Sequence, residues 1–222
     1  KNYYTMSDTK IIYDVFKAWM VEGAQFDGKY EFPFISDSGI IPEKLLPFDK
    51  AMANKDYAQW VHFYIHDRDF ERIWNHPNKY LEILKRYEGV ITPDFSLYRD
   101  MPLSMQIWNT YRNRAIGYWM KKNGVPIIPN FSWGDERTYE FCFDGIEKHS
   151  IVAVGTHGTA KRKLDRYYLE QALDKLLERI EPRHIVIYGT VYDKLADVIS
   201  SANVSYSQFD CNTFEYKKKV TA

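Results

Sequence analysis

Cysteine is scarce in this chain of 222 residues: Cys142 and Cys211 are the only two. One bridge at most could form, so a disulfide-stapled fold is excluded, and with no CxxC pair or Cys/His cluster structural zinc is not indicated. Net charge is absent too. Thirty basic and thirty acidic side chains cancel to a formal +0, so no global field draws the molecule to DNA or to an anionic surface, and nucleic-acid binding would need a local patch. No run of about 18 apolar residues occurs, which leaves no candidate membrane-spanning helix. The first residues, from Lys1, lack the charged, apolar and small-residue order of a signal peptide, so a cytoplasmic location and no membrane partner are expected. Gly and Pro are too few, at 11 and 9, for a collagenous or low-complexity chain.

What is abundant is aromatic character, 17% of residues, within a 45% hydrophobic and 27% charged composition. This fits one globular α/β domain over 1–222, with an N-terminal helix and lead-in to residue 30, repeated βα units over 31–210 and a basic tail over 211–222. Ile11, Ile12, Phe16, Trp19 and Met20 recur at helical spacing behind Ser7-Asp8. Phe32 to Ile35 reads as the first strand, and Pro42 as the start of a short helix. Short apolar runs then alternate with helical stripes. Strands are expected at 60–65, 90–95, 125–131, 139–143, 151–154, 184–188 and 204–209. Between them lie a helix over Phe70 to Tyr87 interrupted at Pro77, one from Pro102 to Asn123, one from Leu164 to Ile180 and one through Leu195 and Ile199.

Two internal echoes support a repeated unit. Ile91-Thr92-Pro93-Asp94-Phe95-Ser96 recurs as Ile127-Ile128-Pro129-Asn130-Phe131-Ser132, and Gly155-Thr156 recurs as Gly189-Thr190. Strand, helix, strand at this spacing calls for a mostly parallel sheet covered by helices. About seven strands with similar loops at successive ends favour a small or irregular TIM-like (β/α) barrel, with an open doubly wound sheet as the alternative.

Several segments in order, HDRDFERIWNHP at His66 to Pro77, PDFSLYRDMP at Pro93 to Pro102, IWNTYRNR at Ile107 to Arg114, IPNFSW at Ile128 to Trp133, FDGI at Phe143 to Ile146 and VGTHG at Val154 to Gly158, carry a resemblance. Over roughly Phe32 to Gly189 the chain resembles a domain of unknown function, family DUF4417, met mostly in bacteriophages and bacterial mobile elements. The resemblance implies a phage or mobile-element origin, action inside a bacterial host cell and a site built from these segments. It implies no reaction.

Ligands of parallel α/β folds sit at the carboxyl ends of the strands, and here those ends are polar. Asp67 and Asp94 are the candidate catalytic carboxylates, one shifting the other so that it serves as acid or base. The competing reading makes Asp67 the N-cap of the helix that follows. Ser96, Asn130, Trp133, Thr156, His157 and Thr190 are candidate substrate contacts, with Trp133 as a platform for a base or sugar ring. The segment Gly155 to Lys163 combines amides, hydroxyls and cations suited to phosphate, but matches neither a Walker loop nor GxGxxG. It reads equally as a solvated βα loop. Arg112 could clamp a phosphate or carboxylate from the long helix, or pair with an acidic neighbour. His62 and His66, four apart on a strand, would stand about 13 Å apart and cannot share an ion, so no metal and no cofactor are implied. The favoured reading is an enzyme acting on a nucleotide or nucleic-acid base. The alternative is a non-catalytic phage interaction protein that binds or inhibits a host defence or replication component, with a host protein as its partner.

Overall fold

The computed structural model describes residues 16–159, 162–211 and 216–217. The expected N-terminal helix lies mostly outside the described residues, which begin with Phe16 and a single 3-10 turn at Ala18–Val21. The basic tail lies outside them as well, apart from Cys211, Tyr216 and Lys217. No described helix is long and apolar enough to cross a membrane.

The chain opens with a small antiparallel pair, β1 (Phe26–Asp27) and β2 (Phe32–Pro33). Phe32 to Ile35 is therefore not the first strand of the parallel array, as its apolar run suggested. That place belongs to β3 (Leu45–Pro47), followed by α1 (Phe48–Ala51), and no helix begins at Pro42. Then come β4 (Trp60–His62), three short helices α2 (Asp67–Phe70), α3 (Arg72–Asn75) and α4 (Pro77–Leu84), β5 (Gly89–Ile91), α5 (Leu103–Lys122) and β6 (Ile127–Ile128). Pro77 occupies the first turn of α4, where its missing N–H has no partner to lose. The segment 139–143 is not a strand; Glu136–Glu140 is a 3-10 turn started by Asp135, whose side chain accepts from the Arg137 amide. The last part contains β7 (Ile151–Gly155), α6 (Lys163–Ile180), β8 (His184–Tyr188), α7 (Asp193–Ser201), β9 (Ser205–Phe209) and β10 (Tyr216–Lys217).

Strands β3 to β6 pair in parallel in chain order, and so do β7 to β9, with β10 antiparallel on β9. Between the two sheets a parallel bridge joins Asn130 to Ala153, through Phe131 N–H to the Ala153 carbonyl at 3.1 Å and Ala153 N–H to the Pro129 carbonyl at 2.8 Å. Among the described residues the order never reverses, so they show no switch point of the kind a doubly wound sheet has. Among the described residues no ladder joins β3 to β9.

Alternation along each strand explains why the runs read as continuously apolar: both faces are buried. Leu45, Trp60, Tyr64, Ile91, Ile128, Ile151, Ala153, Val186 and Phe209, drawn from all the parallel strands, form one cluster. Their neighbours Leu46, Val61, Phe63, Val90 and Ile127 turn to the helices of the first part, and Val152, Val154, Ile185, Ile187 and Tyr206 to α6 and α7. Full burial of side chains of this size contributes about 1.5–3 kcal/mol each, and that drives the helices onto the strands.

Candidate functional site

The carboxyl ends of β4, β5 and β6 present one device twice. Asp67, just beyond β4, accepts from the Ser96 amide at 3.0 Å and the Ser96 hydroxyl at 2.6 Å. Asp94, just beyond β5, accepts through Oδ1 from Ser132 Oγ and from Asn130 Nδ2, the latter at 2.9 Å. Each strand-end aspartate is thus held by a serine from the next strand end. The echo of Asp94-Phe95-Ser96 in Asn130-Phe131-Ser132 brings its two copies into direct contact. Asp67 is not an N-cap: His66 holds that position and no side chain caps α2.

Behind Asn130 lies a buried polar framework. Tyr64 donates its hydroxyl to Asn130 Oδ1 at 2.8 Å, and the Asn130 amide donates to Thr92 Oγ1 at 2.8 Å. Both hydrogen-bonding edges of the Asn130 side chain are therefore used, which fixes the amine toward Asp94. Arg114 on α5, 1% exposed, donates to the carbonyls of Asn130, Cys142 and Asp144 and to Asn113 Oδ1. Asn113 Nδ2 in turn donates to the Pro93 carbonyl at 2.6 Å, bracing the residue before Asp94. Burial lowers the Arg114 guanidinium to about 10, still charged at neutral pH.

Asp94 has no cation among these partners. Burial raises its carboxyl above the usual carboxylate range, the Ser132 and Asn130 hydrogen bonds pull the other way, and the charge of Asp67 raises it further. Beneath it, Tyr64 and Tyr188 stack with ring centroids 5.0 Å apart and planes 11° apart. His62, on the same strand face as Tyr64, packs against Tyr188 at 4.4 Å and accepts the Tyr64 amide through Nδ1. With its ring 1% exposed and no acidic partner, burial lowers His62 to about 3, so it is neutral.

Two adjoining chambers open over this floor. One of about 440 Å³ is lined by Asp49, Tyr64, His66, Asp69, Asp94, His157 and Tyr188. The other, about 170 Å³, is lined by Asp94, Ser96, Ser132, Trp133 and His157. A third hollow of about 400 Å³ continues past Trp133 to Tyr98, Arg99 and Tyr168. Asp94 and His157 border the first two chambers, and Trp133 borders the second and third. Gly155 lies between them because an alanine Cβ there would come within 2.8 Å of the Tyr64 ring.

The expected residues therefore separate into two groups. Asp94, Ser96, Asn130, Trp133 and His157 meet around the cleft, with Asp67 behind Ser96. Thr156 is buried and donates its hydroxyl to the Thr190 carbonyl at 2.9 Å, while the Thr190 side chain is exposed and lines none of these chambers. Arg112 is committed elsewhere: it pairs with Glu71 at 2.5 Å and Asn109 at 2.6 Å and lies over the Phe95 ring at 3.9 Å. A largely desolvated guanidinium needs such partners, and they leave it no role at the cleft. Ala160 and Lys161 of the expected phosphate loop lie outside the described residues. Among the described residues no group of His, Cys, Asp or Glu could hold a metal ion.

Sequence reading missed Tyr64, Tyr188 and Asn113; Arg114, read with Arg112 as a clamp or an ion-pair partner, is instead a buried donor to backbone carbonyls. A signal existed for Asn113: Gln106, Asn109, Thr110 and Asn113 form a polar stripe at three- and four-residue steps on a helix that buries most of its circumference.

Comparison with known proteins finds no matching solved structure. Two curated relatives match over 164 residues, 72% of this chain: the Gene 1 protein of Mycobacterium phage L5, 34% identical over 71% of its length, and the Gene 1 protein of Mycobacterium phage D29, 33% identical over 60% of its length. The family described as Domain of unknown function (DUF4417) matches residues 24–209, spanning every parallel strand and the cleft apart from Cys211, and the chain belongs to that family.

Proposed function

We propose that this phage-family protein is an enzyme acting on a nucleotide or nucleic-acid base, with Asp94 as its acid or base. The observation that carries the reading is Asp94 itself. Its Oδ1 is locked by Asn130 and Ser132, its carboxyl is raised by burial, and it borders two open chambers. A carboxyl moved toward neutrality and aimed by neutral donors suits proton transfer better than ion pairing. Trp133 supplies the ring platform, and Asp67 with Ser96 shapes the rim. Strand ends grouped in this way belong to an irregular TIM-like barrel, supported by the single apolar cluster with members from all the parallel strands. The site of action is the cytoplasm of a bacterial host.

The test is a thermal-shift screen of nucleosides, nucleotides, bases and short oligonucleotides, followed by mass-spectrometric search for product with each binder. A binder turned over by the wild type and not by Asp94→Asn supports the reading; turnover that survives Asp94→Asn removes Asp94 from it. One observation favours the second reading, a non-catalytic factor that binds or inhibits a host defence or replication component. Met105 and Trp108, a turn apart on α5, are 52% and 40% exposed, and exposed Tyr98 precedes the same helix. Capture of a host protein lost on Trp108→Ala, with no turnover of any ligand, would favour it.

A further inference from the structure

The larger chamber has a charge pattern that the sequence did not reveal. Asp49, Asp69 and Asp94 line it, with His66 and His157, and among its described lining residues there is no Lys or Arg. Tyr64 and Tyr188, stacked on each other, also line it and bring no positive charge. A phosphate placed here would meet three carboxylates without a compensating cation. The Thr156 hydroxyl expected to receive phosphate is already donated to the Thr190 carbonyl.

Asp94 sets a finer preference. Asn130 Nδ2 and Ser132 Oγ both donate to Oδ1. Among the described residues Oδ2 takes no hydrogen bond, although Asp94 lines the chamber. With Asp94 ionised that oxygen only accepts, so its complement is an exocyclic N–H donor on the ligand, and a keto oxygen in the same place is repelled.

We infer that the chamber under Asp94 takes an unphosphorylated nucleobase edge bearing an exocyclic amino group, as in cytosine or adenine, and discriminates against the keto-bearing counterparts uracil and hypoxanthine. This rests on the base-binding reading above and specifies which base edge enters and which end stays outside. Carboxylate acceptance from a base amino group is an established recognition pair, and the chamber volume of about 440 Å³ falls within the range of about 300–1,000 Å³ usual for ligand pockets. Any phosphate on the ligand points away from Asp94, toward the open end of the cleft.

The sense of the preference is reversible by one substitution. In Asp94→Asn, the donors Asn130 and Ser132 hold the amide oxygen at the Oδ1 position, which turns the new amine toward the ligand. Acceptor becomes donor. Calorimetric titration of the full chain with cytidine, adenosine, uridine and inosine should give roughly 5-fold or more tighter binding of cytidine than uridine, or of adenosine than inosine, the lower end of the range for a base-reading pair because only one oxygen of Asp94 is free. In Asp94→Asn the order inverts, and inorganic phosphate displaces none of the nucleosides from either protein. Equal binding of amino and keto nucleosides by the wild type overturns the inference while leaving the base-binding reading in place. So does an unchanged order in a folded Asp94→Asn protein, or displacement by phosphate. The wild-type comparison needs no variant and stands alone if Asp94→Asn does not fold. Absence of binding by any nucleoside, nucleotide or free base would overturn the base-binding reading as well.

Discussion

Mild acid should destabilise this protein through one buried residue. His62 is buried against Tyr64 and Tyr188, accepts a backbone amide through Nδ1 and has no carboxylate among its hydrogen-bond partners. Its imidazole is therefore held neutral, with its pKa lowered from 6.5 to about 3. Between those two values the unfolded chain binds one proton more than the folded one, so stability is complete above about pH 6.5 and falls as pH drops toward 3. At pH 5.0 the loss amounts to about 2 kcal/mol, from about 1.4 kcal/mol for each unit below the unfolded value. That is a sizeable fraction of the roughly 5–15 kcal/mol that keeps a domain folded. His62→Asn keeps a side-chain acceptor for the Tyr64 amide and removes the titration. Urea unfolding of both proteins at pH 7.5 and pH 5.0 isolates the effect, since acid-sensitive carboxylates and other histidines contribute equally to both. The wild type should lose about 2 kcal/mol more than His62→Asn. Equal losses, within the extrapolation error of about 10–15%, would refute the argument that His62 is buried neutral.

Three further outcomes are expected. Asp94→Asn should raise the Tm at pH 8, by about 2–4 °C per kcal/mol recovered, because ionising a carboxyl whose folded pKa is raised works against folding; the gain should shrink at lower pH, where wild-type Asp94 is protonated, and a gain that grows with acid would contradict it. Arg114→Met should lose on the order of 3–5 kcal/mol in chemical denaturation, since the carbonyls of Asn130, Cys142 and Asp144 and the Asn113 Oδ1 all lose a donor in the interior; a loss below about 1 kcal/mol would show that water replaces it. Gly155→Ala should destabilise by about 1–3 kcal/mol and alter the near-ultraviolet circular dichroism of the tyrosines, because the added methyl meets Tyr64 at 2.8 Å; unchanged spectra would mean that β7 moves instead.

Much of the parallel order was legible because strands buried on both faces read as uninterrupted apolar runs between helical stripes. Ile151 to Gly155 and His184 to Tyr188 stood out for that reason. Leu45–Pro47 did not, since three residues ending in proline carry almost no periodicity, and the longer run at Phe32 drew the assignment to itself. Pairing energy from β4, rather than local preference, makes that segment a strand. Asp94, Asn130 and Ser132 were visible from the echo alone, because a repeated unit places repeated residues at repeated strand ends. Arg112 takes the acidic-neighbour reading rather than the clamp, and the Thr156 hydroxyl is spent inside the fold, for a common reason. A sequence states which polar group is present but not whether Glu71, Asn109 or the Thr190 carbonyl has already taken it. Tyr64 and His62 gave no warning, as an aromatic in a strand is ordinarily packing.

The seam between β6 and β7 bears on more than topology. Two backbone hydrogen bonds around a single bridge at Asn130 and Ala153 are what the ladder offers there, against five paired positions between β7 and β8. The residue that closes this seam also aims Asp94. A molecule seated on Asp94 would therefore act as a clasp across the single bridge between the two sheets, and its arrival should be felt as slowed amide exchange at Phe131 and Ala153, on opposite sides of that join.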